Sequence, residues 1–308
     1  MPSDSDRRDL LLLVLVGLVW GSAYPVIRFG ILAGATPVVF ADIRYAISAA
    51  LIAAVAAATR VHRPPWRSFA LSALLGLPIV GVYGLLLYLG EASTSGNLSA
   101  ILIAGTPFLT ALFALRALPG ESLGRAGAVG LLVGFLGVVL LVVPPPGIVL
   151  ATTFWGPVAV LGAAVSVAFG TVLLRRYRPE GETLWGVSVQ FAVATAFLLV
   201  VLPVVEPHPA FPVTRSTVFA LAYLVLLPSL VGYSIYFYLH HRVGPSRANL
   251  VAYVNPVAAV LIGTLAFAEP FQVWELGGFA LVVVGLTILT RYRRARPSPP
   301  AGAPRPSS

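Results

Sequence analysis

The chain contains no cysteine and no lysine, only four histidines, and charged residues make up just 10% of its 308 positions. Each scarcity excludes a class of chemistry. Without cysteine there is no disulfide, no thiolate metal site and no thiol nucleophile. The histidines are His62, His208, His240 and His241, and none forms an HExxH pair, so no metal site is expected. No glycine-rich phosphate loop ending in lysine is present, which excludes work powered by this chain's own nucleotide hydrolysis. No cofactor is expected. The shortage of charge is the most informative. A soluble domain carries about 25% charged residues, and this chain could not cover a water-facing surface with what it has.

What it has instead is apolar. Hydrophobic residues make up 58% of the sequence, and the mean hydropathy is +0.92. The lipid bilayer is therefore its expected solvent. A helix crossing the hydrocarbon layer needs roughly 20 residues. Cutting the chain at turn and charge signals predicts ten such spans, at 10–30, 37–58, 69–90, 97–117, 125–143, 154–174, 184–204, 217–239, 246–267 and 273–290. The first apolar run is too long for a cleaved leader and lacks a clear cleavage site.

All twenty basic residues are arginine, and they orient the chain. Cytoplasmic segments carry the basic excess. With the N-terminus inside, the inner segments hold Arg7, Arg8, Arg60, Arg63, Arg67, Arg116, Arg125, Arg175, Arg176, Arg178, Arg242, Arg247, Arg291, Arg293, Arg294, Arg296 and Arg305. The outer loops hold only Arg215, while Arg28 and Arg44 fall within predicted helices. This places both termini in the cytoplasm. It also explains the net charge of +9 by membrane orientation, so no nucleic-acid partner is implied. The expected setting is the inner (plasma) membrane, crossed many times. The Pro-rich segment 291–308 reads as a disordered cytoplasmic tail, and 1–9 as a cytoplasmic N-terminal segment.

Two stretches repeat one another. GNLSAILIAGTPFLTALFALRALPGE starts at residue 96, and PSRANLVAYVNPVAAVLIGTLAFAEP starts at residue 245. Pro107 and Pro256 are offset by 149; Glu121 and Glu269, Gly130 and Gly278, and Gly137 and Gly285 are each offset by 148. The expected organisation is an all-α polytopic membrane protein with five-helix repeats at 10–146 and 147–290. An odd number of spans per repeat inverts one against the other, a common plan of secondary transporters.

The chain resembles the EamA-type branch of the drug/metabolite transporter superfamily. The resemblance rests on VWGSAYPVIR, DIRYAISAAL, GNLSAILIAGTPFLTALFA with PGE, GPSRANLVAYVNPVAAVLIG with AEP, and the glycine-rich GLLVGFLGVVL and GGFALVVVGLTIL. It covers about residues 10–290. It implies a ten-helix transporter with a central cavity, often exporting metabolites, amino acids or toxic compounds. One departure is that Val165-Ser166-Val167-Ala168 stands where the family often carries an aromatic pair, which makes one cavity wall less aromatic.

Candidate site residues follow from helix geometry. Trp20, Tyr24 and Arg28 share one face at four-residue spacing. Pro25 among them removes a backbone hydrogen bond and can hinge the helix. Asp42 and Arg44 sit near the outer start of the second span. Charges at membrane depth pair or line water, so either Asp42 pairs with Arg28, leaving Arg44 to face a cavity, or all three sit near the outer interface and reach water; the pair is the expectation carried forward. Tyr83 and Tyr88 in the third span, and Tyr233, Tyr236 and Tyr238 in the eighth, offer apolar area with one hydrogen bond each. Asn255 before Pro256 is a polar point at membrane depth, and Pro107 is its counterpart. The expected substrate-binding set is Trp20, Tyr24, Arg44, Tyr83, Tyr233, Tyr236 and Asn255. The expected coupling or gating set is Arg28, Asp42, Glu121 and Glu269. Pro25, Pro107 and Pro256 are the expected hinges. Glu91 reads as solvated in an outer loop. Gly162, Ser166 and Gly170, and Gly130 and Gly134, read as close-packing positions.

The function expected is export of small amphipathic solutes, such as hydrophobic or aromatic amino acids, by alternating access, with a small-molecule substrate and the bilayer as partners and a monomer as the simplest state. A channel for small neutral solutes is the nearest alternative. A membrane enzyme is more remote, because no histidine lies in a helix core and no paired carboxylates are evident.

Overall fold

Proline and glycine decide where the long apolar helices break. In the computed structural model, residues 4–118, 124–142, 154–177, 184–243 and 251–295 are described. The helices are α1 Asp4–Gly21, α2 Ala23–Leu32, α3 Pro37–Ala58, α4 Trp66–Gly76, α5 Tyr83–Glu91, α6 Gly96–Ile103, α7 Thr106–Ala117, α8 Arg125–Val142, α9 Trp155–Tyr177, α10 Leu184–Val205, α11 Arg215–Leu224, α12 Tyr233–Val243, α13 Val251–Phe267 and α14 Val273–Ala295. No strand occurs among the described residues. Eight continuous helical stretches are long and apolar enough to cross a membrane, from Arg7–Leu32 through Arg215–Leu239. Two shorter apolar helices follow, Val254–Phe267 and Val273–Leu289. They fall where the last two spans are expected, though residues 246–250 lie outside the described set.

The break between α1 and α2 is at Ser22. Pro25 has no N–H to give to the Gly21 carbonyl four residues back, so the helix interrupts there. Pro107 acts likewise, and α6 stops at Ile103, its i−4 partner. Pro256 behaves differently, since α13 runs through it. Two further irregularities have no counterpart in the sequence reading. Between α4 and α5 the chain forms a π-helical turn at Leu77–Val82, and between α11 and α12 another at Val225–Gly232. Their starts are 148 residues apart, the same offset as the paired glutamates and glycines. A π-turn leaves carbonyls short of partners and favours functional sites.

Helix ends are satisfied by side chains. Ser95 caps α6 by accepting from the Leu98 amide at 3.1 Å. Thr214 caps α11 and forms a reciprocal box with Thr217. At the start of α3, the amides of Val38 and Val39 donate to the Glu206 carboxylate at 2.8 and 3.1 Å. Glu206 follows α10, and α3 and α10 pack side by side.

The tightest helix pair is α8 against α14. A Cβ on Gly130 would lie 2.8 Å from the Gly285 carbonyl, and one on Gly137 would lie 2.8 Å from the Gly278 carbonyl. The residues expected as packing positions therefore bring two backbones together, as small residues do in membranes. The contact is reciprocal: Gly130 and Gly278 are counterparts, as are Gly137 and Gly285, and each meets the counterpart of the other. Ser166 also packs, in the interface where α9 meets the first π-turn and α5.

Candidate functional site

Aromatic side chains form a continuous file through the middle of the bundle. Trp20 lies 5.1 Å from Tyr236 and 5.3 Å from Tyr233. Tyr233 meets Phe191 at 5.7 Å, Phe191 stacks on Tyr45 at 5.3 Å, and Tyr45 meets Tyr88 at 6.3 Å. Tyr88 then meets Phe40 at 5.6 Å. Five of the spans contribute to this file. The sequence reading found Trp20, Tyr88, Tyr233 and Tyr236 but missed Phe40, Tyr45 and Phe191, whose roles come only from the way α3 and α10 pack.

Arg44 is set into this file. It is buried, donates to the Tyr88 hydroxyl at 3.0 Å, and stands 5.6 Å above the Tyr45 ring. Its Nε has no partner. Tyr24 is buried and faces Tyr83. Tyr83 and Tyr233 each begin the helix that follows a π-turn, so the two irregular turns position two of the expected phenols.

Each π-turn also receives a donor from elsewhere in the chain. The Trp20 Nε1 donates to the Pro228 carbonyl at 3.0 Å, and the Ser166 Oγ donates to the Pro78 carbonyl at 2.7 Å. The donors sit in the first and sixth spans, the acceptors in the eighth and third. Gly232 makes room for the indole, because a Cβ there would come 2.5 Å from Trp20 Nε1.

Several expectations are corrected. Arg28 does not pair with Asp42. Its guanidinium donates instead to the backbone carbonyl of Glu91. Asp42 is 7% exposed, and among the described residues one of its oxygens has no partner and it makes no ion pair. The physical reason is that the last turn of α5, packed against α2, presents the Glu91 carbonyl to the guanidinium as an acceptor. Glu91 is not solvated; it has no exposed surface, and neither carboxylate oxygen makes a hydrogen bond. Two further carboxylates lie in apolar helices, Glu91 at the end of α5 and Glu275 in α14. Asn255 does not present a free amide. Oriented to satisfy its neighbours, it donates to the carbonyls of Val251 and Gly17 at 3.1 Å each, tying α13 to α1.

Glu269 lies between α13 and α14 and accepts from the amides of Gly96 and Asn97 at 3.2 and 2.9 Å. These open α6, so the carboxylate sits on a helix N-terminus, where its charge is favoured. Burial nonetheless lifts the Glu269 carboxyl above the usual glutamate range, against the opposing pull of the two amides and Arg28. Glu121, its counterpart by offset, lies outside the described residues.

Comparison with known proteins gives a consistent result. The sequence profile of the EamA-like transporter family matches twice, over residues 8–143 and 154–291. The chain is 28% identical over 288 residues to the "Uncharacterized inner membrane transporter YedA" of Escherichia coli, covering 93% of this chain and 92% of that protein. It is 30% identical over 291 residues to a "Probable terminal-alkyne amino-acid exporter" of Streptantibioticus cattleyicolor, covering 92% and 94%. A solved structure titled only "Crystal structure of protein" aligns with a TM-score of 0.64 at 21% identity, covering 93% of this chain and 99% of that one, which speaks to the fold alone. With the profile spanning both parts of a multi-pass membrane chain, this protein belongs to the EamA-like transporter family.

Proposed function

We propose that this chain is a secondary transporter of the inner membrane that exports small amphipathic solutes, such as hydrophobic or aromatic amino acids. It works by alternating access between two inverted five-helix halves, ten spans in all, with both termini cytoplasmic. The observation that carries the reading is the aromatic file around the buried Arg44, bracketed by two π-turns at matching positions. Phenol and indole faces suit an apolar side chain, and a guanidinium with an unused Nε suits a carboxylate. The reciprocal glycine contacts and the crossed donors onto Pro78 and Pro228 support two halves related by a two-fold axis. The arginine distribution supports the orientation. The terminal-alkyne amino-acid exporter among its relatives supports the substrate class.

Counterflow of radiolabelled phenylalanine, tryptophan and leucine into proteoliposomes tests the proposal. Saturable exchange that falls in Trp20→Ala and Tyr24→Ala, with folded protein retained, is the expected result. Uptake without counterflow would make the protein a channel.

A further inference from the structure

The outer end of the bundle, in the orientation proposed above, holds a buried cluster that transport of an amphipathic solute does not by itself require. Glu91, Thr94 and Asn97 have no exposed surface, and Glu269 is 8% exposed. Both Glu91 carboxylate oxygens, the Thr94 hydroxyl and the Asn97 side-chain carbonyl lack hydrogen-bond partners. Arg28 acts on both carboxylates but spends a donor on the Glu91 backbone. Arg44 also acts on Glu91 from the deeper side and spends a donor on Tyr88. The other groups facing Glu91 are Ser99, Tyr24, Tyr45 and Tyr88. Those facing Glu269 include Glu91 and Glu275.

We propose that Glu91 and Glu269 form a proton-binding site, and that closing the outer end takes up a proton there. In the closed arrangement two buried carboxyls act on one another, and the carboxylate of Glu91 makes no hydrogen bond among the described residues. Two ionised carboxylates so placed repel each other and have lost their hydration. A proton from the outer medium, held by one carboxyl, removes that repulsion, and Glu269 can remain as the cap of α6. Reopening returns both groups to water and releases the proton outward. Only the assignment of this end to the outer side rests on the transporter reading; proton-linked closure does not.

The sign follows from linkage. Burial raises the Glu269 carboxyl in the closed form, while in an open, watered form it returns toward about 4.3. Between those values the closed form binds a proton that the open form does not. Closure is therefore favoured as pH falls, by up to about tenfold per pH unit for one proton.

The absence of native cysteine permits a test without substrate. Thr94→Cys reports opening through its labelling by a membrane-impermeant maleimide. Val213→Cys, at a position 84% exposed, corrects for the thiol's own pH dependence. Between pH 5 and 8 the ratio of the two rates should rise with pH. It should be flat in Glu91→Gln/Glu269→Gln and keep its slope in Glu91→Asp. A flat ratio with both glutamates in place, or an unchanged slope in the double glutamine variant, would overturn the site. Dependence on sodium at fixed pH would also overturn it, in favour of a metal cation. Because no solute is present, these outcomes are independent of whether the counterflow assay succeeds.

Discussion

Replacing Gly285 by alanine puts the packing of α8 on α14 to a quantitative test. Its added Cβ would fall 2.6 Å from the Gly130 carbonyl oxygen and 2.7 Å from the Gly134 Cα. Both are rigid backbone atoms, so the helices must separate. Alanine gains about 1 kcal/mol of helix propensity over glycine, and forced overpacking costs about 1–3 kcal/mol. The net effect is a loss of up to about 2 kcal/mol. Gly277, the residue before Gly278 and so on a different face of the same helix, is the control. A Cβ there meets only Leu140, at 3.7 Å, an ordinary contact, so Gly277→Ala should be neutral or gain about 1 kcal/mol. Gly137→Ala should behave like Gly285→Ala, because its Cβ would come 2.8 Å from the Gly278 carbonyl. Thermal melting of detergent-purified variants, scored by size-exclusion recovery, reads the order. Equal melting of Gly285→Ala and Gly277→Ala would refute the close approach of these helices.

Two further outcomes are expected. Trp20→Phe and Ser166→Ala each leave a π-turn carbonyl without its donor, which should cost about 1 kcal/mol each and slow counterflow. Since the two acceptors lie in different spans, the stability losses should add, and strong non-additivity in the double variant would show that the turns are one unit. Reporter fusions at residues 62, 120, 179 and 244 should report the cytoplasm, and those at 93, 147, 210 and 272 the outside; a cytoplasmic signal at 147 would break the inverted arrangement.

The sequence made the fold legible because membrane spans are written in composition. Apolar runs of about 20 residues, cut by arginine, proline and glycine, placed the eight long helical stretches and the two shorter ones to within a few residues. The packing role of Gly130, Gly134, Gly162 and Ser166 was legible for a similar reason, since small residues at helical spacing mean close backbones. The π-turns were not legible. Leu77–Val82 is wholly apolar and Val225–Gly232 is apolar but for Ser229, so no periodicity marks the extra residue in the turn. Glu91 was misread because local sequence shows a helix end followed by Ala-Ser-Thr-Ser, an ordinary loop; the groups that surround it, among them Arg28, Arg44 and Glu269, come from distant parts of the chain. Arg28 was misread for a related reason. Opposite charge suggested Asp42, but a guanidinium in lipid is satisfied by the nearest acceptor, and a backbone carbonyl cannot be found by counting charges. Asn255 shows the same limit, because its amide is consumed by carbonyls of Val251 and Gly17.

The central claim is that one bundle opens alternately to its two sides, and paired distances across the same two spans test it most directly. The cysteine-free chain accepts spin labels at Leu32 and Ala92 for the outer ends of the first and third spans, and at Leu11 and Trp66 for their inner ends; all four positions are exposed. Double electron–electron resonance in proteoliposomes, with and without a counterflow-active solute, should show one distance lengthening as the other shortens. Two distances that stay fixed while solute exchanges, or that lengthen together, would contradict alternating access.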